Sequence, residues 1–249
     1  MKYLLLGLCI FFAALGVYVL NDVNKNPVYY VLVGPPGAGK GTLALKLAKE
    51  EGIPVITASS VLKKNMTPGS EVQELMSAGK FVPDSLVMSL LAKELEGSQY
   101  AKGAIFDGFP RTIAQSEFFA QVGIQVDLMI VLEIEDAKIV ERMGGRRIHL
   151  PSGRMYHIDH MPPKVPGKDD ETGEPLAQRE DDRADIVEAR LKDYHKLTFP
   201  IVAWAKKQVD NPQGVVKNMV FVDASQSFDQ VWETLCQQQK ALDGPMTSC

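Results

Sequence analysis

The sequence predicts an α/β fold in which a doubly wound parallel sheet carries helices on both faces. Short apolar runs typical of buried strands alternate along the chain with amphipathic stretches typical of helices. The chain has 249 residues, 45% hydrophobic and 23% charged, which is enough for one such domain with inserted lobes. Its formal net charge of −4 gives no general attraction to nucleic acid, so no nucleic-acid partner is expected.

The first segment, residues 3–20, is nearly all apolar and follows a single Lys2. Its length lies between that of a signal-peptide core and that of a membrane-spanning helix. We therefore set residues 1–22 apart from the fold as a hydrophobic helix. It is an uncleaved anchor that tethers the domain to a membrane, a cleaved signal, a buried helix, or the product of a wrong translation start.

The next stretch predicts a phosphate-binding loop between a strand and a helix. The apolar run VYYVLV, residues 28–33, leads into GPPGAGKGT, residues 34–42. Glycines let the backbone approach a ligand closely, so that amide N–H groups at the helix start point at phosphate oxygens. Lys40 would reach the terminal phosphates and the Thr42 hydroxyl would lie near a metal. Gly41 separates these two residues, which makes the pattern narrower than the general nucleotide-binding signature.

The rest of the chain continues the alternation of strands and helices. Asp84 is predicted to cap a helix, because Pro83 precedes it and apolar residues share one face of the stretch that follows. The segment 145–182 is polar, rich in Gly and Pro and without periodicity, which is typical of a functional lid. The other predicted elements are strands at 54–57, 104–106, 128–134 and 220–223, and helices at 59–65, 70–78 and 135–143, one that follows the loop after 106 and runs through 122, one from about 183 and one from 227.

Charged residues cluster where a ligand is expected. Asp107 and Arg111 follow a buried strand, at the edge where open α/β sheets bind ligands. Every arginine of the chain lies between positions 111 and 190. Because a guanidinium grips phosphate through two hydrogen bonds, the cluster predicts several phosphates held at once, with a solvated charged surface as the alternative. Asp107 would hold a magnesium ion through water or cap the loop structurally.

The cysteines are expected to carry no chemistry. Cys9, Cys236 and Cys249 are too few and too far apart for a disulfide framework or a zinc site.

Taken together, the loop at 34–42, the motif DGFPRT at 107–112 and the segment 145–182 resemble adenylate kinases of the long-lid bacterial type, over residues 28 to about 242. The resemblance implies a P-loop kinase domain at 28–249 with a five-stranded parallel core. It also implies a nucleoside-monophosphate (NMP) lobe at 57–82 and a lid at 145–182.

The activity implied is reversible transfer of the γ-phosphoryl group of Mg-ATP to AMP, giving two ADP, by a monomer with Mg²⁺ as cofactor. A kinase for CMP or UMP, or a non-catalytic membrane-tethered nucleotide scaffold, are the alternatives. The family implies a cytoplasmic enzyme and the hydrophobic segment an anchored or exported one, so localisation stays open.

The resemblance also assigns site residues by position. ATP contacts fall on Gly37, Ala38, Gly39, Lys40, Gly41, Thr42, Arg142, Met155, Tyr156 and Gln226. AMP contacts fall on Ala58, Lys63, Lys80, Phe81, Val82, Gly108, Phe109, Pro110, Arg111, Gln115, Arg179 and Arg190. The catalytic set is Lys40, Asp107, Arg111, Arg146, Arg179 and Arg190, with Thr42 and Asp107 as the magnesium positions. The chemistry fits this set, because an ionised acceptor phosphate needs positioning and charge neutralisation rather than a general base.

The chain departs from the family pattern in two places. Where the family usually has Thr, Asp and Arg in the NMP lobe, this chain has Ala58, Ser60 and Lys63, and the lobe is shortened after Lys63. Losing a hydroxyl and a bidentate guanidinium removes on the order of 1 kcal/mol each, so AMP binding should be weaker or the acceptor different. In the lid, the positions of zinc-binding cysteines in some relatives carry other polar residues, which predicts a hydrogen-bond network and no zinc: His149, Ser152, Asp169 and Thr172.

Overall fold

A computed structural model describes residues 26–77 and 82–249 of the chain. The hydrophobic segment 1–22, with Cys9, and the predicted AMP contacts Lys80 and Phe81 lie outside the described residues. Within the described ranges, no helix is long and apolar enough to cross a membrane.

The described residues form a central parallel sheet and a separate hairpin. In chain order the strands are β1 (Val28–Val33), β2 (Val55–Thr57), β3 (Gly103–Asp107), β4 (Leu128–Glu133), β5 (Arg146–Ile148), β6 (Met155–His157) and β7 (Met219–Asp223). Five of them pair in the order β2-β3-β1-β4-β7, all in parallel. The predicted α/β fold with a five-stranded parallel sheet is confirmed. Strands β5 and β6 pair antiparallel with each other, away from the main sheet.

Helices follow the strands as the alternating pattern predicts. In chain order they are α1 (Lys40–Glu51), α2 (Ala58–Lys64), α3 (Glu71–Ser77), α4 (Asp84–Leu95), α5 (Ile113–Gln121), α6 (Asp136–Gly145), α7 (Ala184–Asp193), α8 (Pro200–Val209) and α9 (Phe228–Ala241). A π-helical turn, Tyr194–Thr198, lies between α7 and α8. The predicted helix from residue 183 is therefore two α-helices joined by this turn.

Strand β1 is buried on both of its faces, which explains its unbroken apolar sequence. Val31 and Val33 belong to one hydrophobic core, together with Phe106 of β3. Tyr30 and Leu32 point to the other face of the sheet and belong to the second core. Central strands of parallel sheets are covered by helices on both sides, so they are apolar at every position rather than at alternate ones. Here this burial fixes the end of β1, from which the glycine loop starts.

The predicted irregular segment 145–182 contains the β5–β6 hairpin, in which Arg146 pairs with His157 and Ile148 with Met155. This hairpin was not predicted, because strands of three residues are too short to show an alternating pattern.

The predicted helix cap at Asp84 is wrong. Helix α4 begins at Asp84, but Pro83 occupies the cap position and no side chain caps the helix. The Asp84 carboxylate instead accepts hydrogen bonds from Thr112 Oγ1 at 2.7 Å and Gln115 Nε2 at 2.6 Å. Because the carboxylate accepts from two donors at the start of α5, it does not cap its own helix. Local sequence does not reveal this choice of partner.

The expectation that the cysteines carry no chemistry is also wrong. Cys236 and Cys249 form a disulfide, with their Cα atoms 5.0 Å apart. After α9 the chain turns back, and Met246 is buried in the core that contains Tyr30. The backbone N–H of Ser248 then donates to the carboxylate of Glu51, the last residue of α1, at 2.9 Å. This reversal brings together two cysteines that are 13 positions apart in sequence.

Candidate functional site

The glycine loop after β1 has backbone geometry that glycine alone adopts readily. Gly37 and Gly39 have φ values of 81° and 90°, in the left-handed region. A Cβ atom on Gly37 would lie 2.8 Å from Cγ of Met143, so a larger residue does not fit. Helix α1 begins directly after the loop, at Lys40. The first N–H groups of a helix have no partner within the helix and lie at its positive end, so the loop and the start of α1 can bind an anion.

Lys40 folds over the loop that precedes it. Its ammonium donates hydrogen bonds to the carbonyl oxygens of Gly34 and Pro35, each at 2.7 Å. Burial lowers the pKa of Lys40 to about 8, and the positive charges of Arg111 and Arg190 act in the same direction. A polyphosphate placed on the loop would stabilise the charged form of Lys40 and restore its pKa.

A cleft of about 260 Å³ opens between the glycine loop and the end of β3. Its walls bring together residues that are far apart in sequence, among them Gly34, Lys40, Gly108, Arg111, Arg190 and Thr198. Two arginines and a lysine around one small cleft repel each other unless an anion lies between them. The pKa of Arg190 is lowered by burial and, in addition, by the charges of Arg111 and Arg146.

Asp107, at the end of β3, faces the loop across from Lys40. A Cβ atom on Gly41 would lie 3.4 Å from Asp107 Oδ2, so the carboxylate is next to the start of α1. Burial raises the pKa of Asp107, and the charges of Lys40 and Arg111 oppose this increase. Together with the exposed hydroxyl of Thr42, the Asp107 carboxylate offers the oxygen ligands that Mg²⁺ prefers.

The Arg111 backbone is held on the opposite side of the cleft. Its N–H donates to Gln115 Oε1 at 2.7 Å, and its Nε donates to the carbonyl of Gly108 at 2.9 Å. Gln115 is 4% exposed, and its Nε2 donates to Asp84. Each half of its amide keeps capacity for one further hydrogen bond. Phe109 and Pro110, which lie between Gly108 and Arg111 in this loop, are buried.

The residues assigned to the ATP base fall into two groups. The Arg142 guanidinium donates to the carbonyl of Ala224 at 2.6 Å and lies 3.5 Å from the carbonyl of Gln226, so it joins α6 to the loop after β7. Met155 and Tyr156 lie on β6. Met155 is exposed, whereas Tyr156 is buried and its hydroxyl donates to a lid carboxylate. The structure thus joins Arg142 to Gln226 and places the other two residues in the β5–β6 hairpin.

The arginines assigned to the transferring phosphates are paired with two neighbouring acids. Arg146 donates two hydrogen bonds to Asp182, and Arg179 donates to Asp181 at 3.1 Å. Arg190 lies 3.4 Å from the carbonyl of Asp181. These acids were not predicted, although the run REDDR, residues 179–183, contains a signal in its three acids flanked by arginines.

The four lid positions meet in the hydrogen-bond network that the sequence predicts. His149 Nδ1 lies 2.7 Å from Ser152 Oγ, and Thr172 Oγ1 donates to Asp169 Oδ2 at 3.0 Å. Arg154 donates two hydrogen bonds to Asp169 and holds the pKa of its carboxyl well below the usual range. Nowhere in residues 26–77 or 82–249 do His, Cys, Asp and Glu side chains form a cluster able to hold a metal ion.

At the start of the predicted NMP lobe, the polar side chains cap helix α2. The Thr57 side chain accepts a hydrogen bond from the Ser60 N–H at 2.9 Å, and Ser60 Oγ in turn accepts from the Thr57 N–H at 3.3 Å. Ala58 packs against the hydrophobic core, as does Val82 farther along the chain. Lys63 is exposed. Of the predicted acceptor contacts in this lobe, Lys63 is thus the charged side chain that the structure shows open to solvent.

A comparison with protein families agrees with this geometry. A family model described as adenylate kinase matches residues 32–210. The match begins within β1 and ends after α8, and it contains the glycine loop, the Arg111 loop, the lid hairpin and the paired arginines.

Proposed function

The chain belongs to the adenylate kinase family, and its reaction class is phosphoryl transfer to a nucleoside monophosphate. We propose that it transfers the γ-phosphoryl group of Mg-ATP reversibly to AMP, giving two ADP. The observation that carries the proposal is the cleft where Lys40, Arg111 and Arg190 lie close enough to perturb one another electrostatically. Cations in such an arrangement are stabilised by a ligand with several phosphates.

In this proposal the two walls of the cleft hold different nucleotides. The glycine loop and Lys40 hold the phosphates of ATP, and Arg111 holds the phosphate of the acceptor. That acceptor phosphate is already ionised, so the site needs in-line positioning and neutralisation of charge rather than a base. This accounts for a cleft lined by Lys and Arg without a histidine partner. Thr42 and Asp107 offer the oxygens that would hold Mg²⁺, which would supply positive charge to the phosphates when bound.

The segment 145–182 is proposed to act as a lid. In the structure Arg146 and Arg179 are paired with Asp182 and Asp181. When phosphates arrive, Arg179 can exchange its exposed carboxylate for phosphate oxygens, while Arg146 can keep the buried Asp182 and donate its remaining N–H groups to a phosphate. Closure would also exclude water, which otherwise competes with the acceptor for the phosphoryl group.

The altered NMP lobe favours a second candidate, a kinase for CMP or UMP. Ser60 is committed to the start of α2, and Lys63 offers a point charge instead of a planar fork. A non-catalytic scaffold fits less well, because a protein that binds one nucleotide has no use for a second set of phosphate-binding arginines.

Side-by-side assays of the purified protein with Mg-ATP and AMP, CMP, UMP or GMP test the proposal. We expect the highest kcat/KM with AMP. A kcat/KM about tenfold higher with CMP or UMP would instead establish the second candidate, since tenfold corresponds to about 1.4 kcal/mol of discrimination. Nucleotide binding without transfer to any of the four would support the scaffold.

A further inference from the structure

The helix that carries Arg190 changes its winding at the cleft. Between α7 and α8, the N–H of Phe199 donates to the carbonyl of Tyr194 at 2.8 Å, a spacing of five residues in place of four. Such π turns are rare and frequently lie at functional sites. This one lines the cationic cleft with Tyr194 and Thr198, one turn or two after Arg190.

The hydroxyl of Thr198 leaves its own helix. Threonine in a helix commonly donates its hydroxyl to a carbonyl one turn earlier in the same helix. Thr198 Oγ1 instead donates to the carbonyl oxygen of Arg111 at 2.9 Å, across 87 positions of sequence. The hydrogen bond therefore joins the helical unit of Arg190 to the loop of Arg111, two residues to which the acceptor and transferring phosphates are assigned.

Thr198 completes the set of bonds that fixes Arg111. The N–H of Arg111 is held by Gln115 and its Nε by Gly108, while its carbonyl is held by Thr198. Arg111 needs such anchoring because the charges of Lys40 and Arg190 interact unfavourably with its own. Without the Thr198 bond, the peptide after Arg111 could rotate and let the guanidinium move away from its two cationic neighbours.

We propose that Thr198 is a positioning residue for the acceptor nucleotide. It holds the Arg111 backbone so that the guanidinium faces the acceptor phosphate, and it acts through Arg111 without touching the reacting atoms. The inference rests on the proposed function, in which Arg111 binds the acceptor and Lys40 binds ATP. It predicts a specific kinetic signature, because only the acceptor side of the cleft depends on Thr198.

The test compares Thr198→Val, which keeps the shape of the side chain and removes the hydroxyl, with Thr198→Ser, which keeps the hydroxyl. In the valine variant the KM for the monophosphate should rise about fivefold, the scale of one lost hydrogen bond, and the KM for ATP should stay within about twofold. The serine variant should restore the wild-type value. Thr234→Val, a substitution of the same type in α9, controls for general effects of valine in a helix.

An equal rise of both KM values in Thr198→Val, or no rise at all, would overturn the positioning role. If the wild type transfers phosphate to none of the monophosphates, the proposed function fails. The anchoring of Arg111 by Thr198 is then tested by a measurement that needs no turnover. Hydrogen exchange of the amides at 108–112 should then be faster in Thr198→Val than in wild type and unchanged in Thr198→Ser. Equal exchange in all three proteins would refute the anchoring of Arg111.

Discussion

The guanidinium of Arg146 holds the carboxylate of Asp182 with two hydrogen bonds, one of them 2.7 Å long from Nε. The Asp182 side chain is fully buried, whereas the neighbouring pair of Arg179 and Asp181 is exposed on both sides. Adjacent acids therefore pair with two arginines in very different surroundings. An unpaired charge costs far more free energy in a buried place than in water. Loss of one partner should therefore lower the free energy of unfolding much more for the buried pair than for the exposed one.

Substituting Asp182 by Asn should destabilise the protein by about 3 kcal/mol, because it leaves Arg146 beside a buried group without its charge partner. The matched variant Asp181→Asn removes an exposed partner and should cost no more than about 0.5 kcal/mol. Urea denaturation of the ligand-free proteins gives both values. Equal effects would mean that burial does not distinguish these two ion pairs.

Lys40→Met and Arg111→Ala should affect different steps. Loss of Lys40 should abolish turnover, because the ammonium is proposed to reach the transferring phosphate. Loss of Arg111 should chiefly damage acceptor binding, with kcat/KM at least ~100-fold lower if ~3 kcal/mol of charge-assisted hydrogen bonding is removed. Steady-state kinetics with each nucleotide varied in turn separates the two. An equal increase in both KM values for Arg111→Ala would contradict the division of the cleft.

The contribution of Lys40 to stability should depend on pH. Its pKa is about 8 in the folded protein and 10.5 in its ordinary state, so between these values the unfolded chain binds more protons. Stability therefore rises with pH across this window, and the cost of burying the charged lysine is fully present below about pH 8. Lys40→Met removes this cost, so its gain in free energy of unfolding over wild type should be larger at pH 7 than at pH 10. Denaturation at both pH values checks this, and a pH-independent difference would argue against a lowered pKa.

The double variant Lys63→Arg, Ala58→Thr should improve acceptor binding. It restores a guanidinium fork and a hydroxyl donor, which should lower the KM for AMP about fivefold, or roughly 1 kcal/mol, while the KM for ATP barely changes. Lys64→Arg is the matched control, because Lys64 is already paired with Glu94 at 2.7 Å. If the KM for AMP stays constant and Lys63→Ala is silent, Lys63 does not reach the acceptor.

The disulfide between Cys236 and Cys249 should stabilise the protein. It closes a loop with a sequence separation of 13, and loops near this length are stabilised by roughly 3 kcal/mol in the chain-entropy model. Cys236→Ser and reduction of the wild type should therefore lower the urea midpoint to a similar degree. Treatment of Cys236→Ser with a reductant should have no further effect. A wild-type midpoint that ignores reductant would show that the disulfide does not contribute.

Local sequence predicted the part of the site that local sequence builds. The succession of strands and helices along the chain and the glycine loop follow from patterns within about fifteen residues. Strand β1 is apolar throughout because both of its faces are buried, and the left-handed backbone at position 37 favours glycine. In these cases each residue's conformation is decided by its neighbours in the chain. The lid network was instead expected from the family resemblance, because its members lie up to 23 positions apart.

The features that were missed depend on choices between distant partners. Asp84 was expected to cap its helix and instead binds Thr112 and Gln115. Asp182 pairs with Arg146 across 36 positions, and the bond from Thr198 spans 87. Several polar partners were available to each of these side chains, and tertiary packing decides which of them comes within reach. Periodicity and propensity contain no information about that outcome.

Glu51 joins the last turn of α1 to the segment that follows α9. Helix α1 begins with Lys40 on the cleft and ends with Glu51, whose carboxylate accepts from the N–H groups of Thr247 at 3.0 Å and Ser248 at 2.9 Å. An affinity tag or fluorescent fusion joined after Cys249 would therefore lie beside these bonds and disturb the helix that follows the glycine loop. A tag placed ahead of Asn26 leaves that attachment undisturbed.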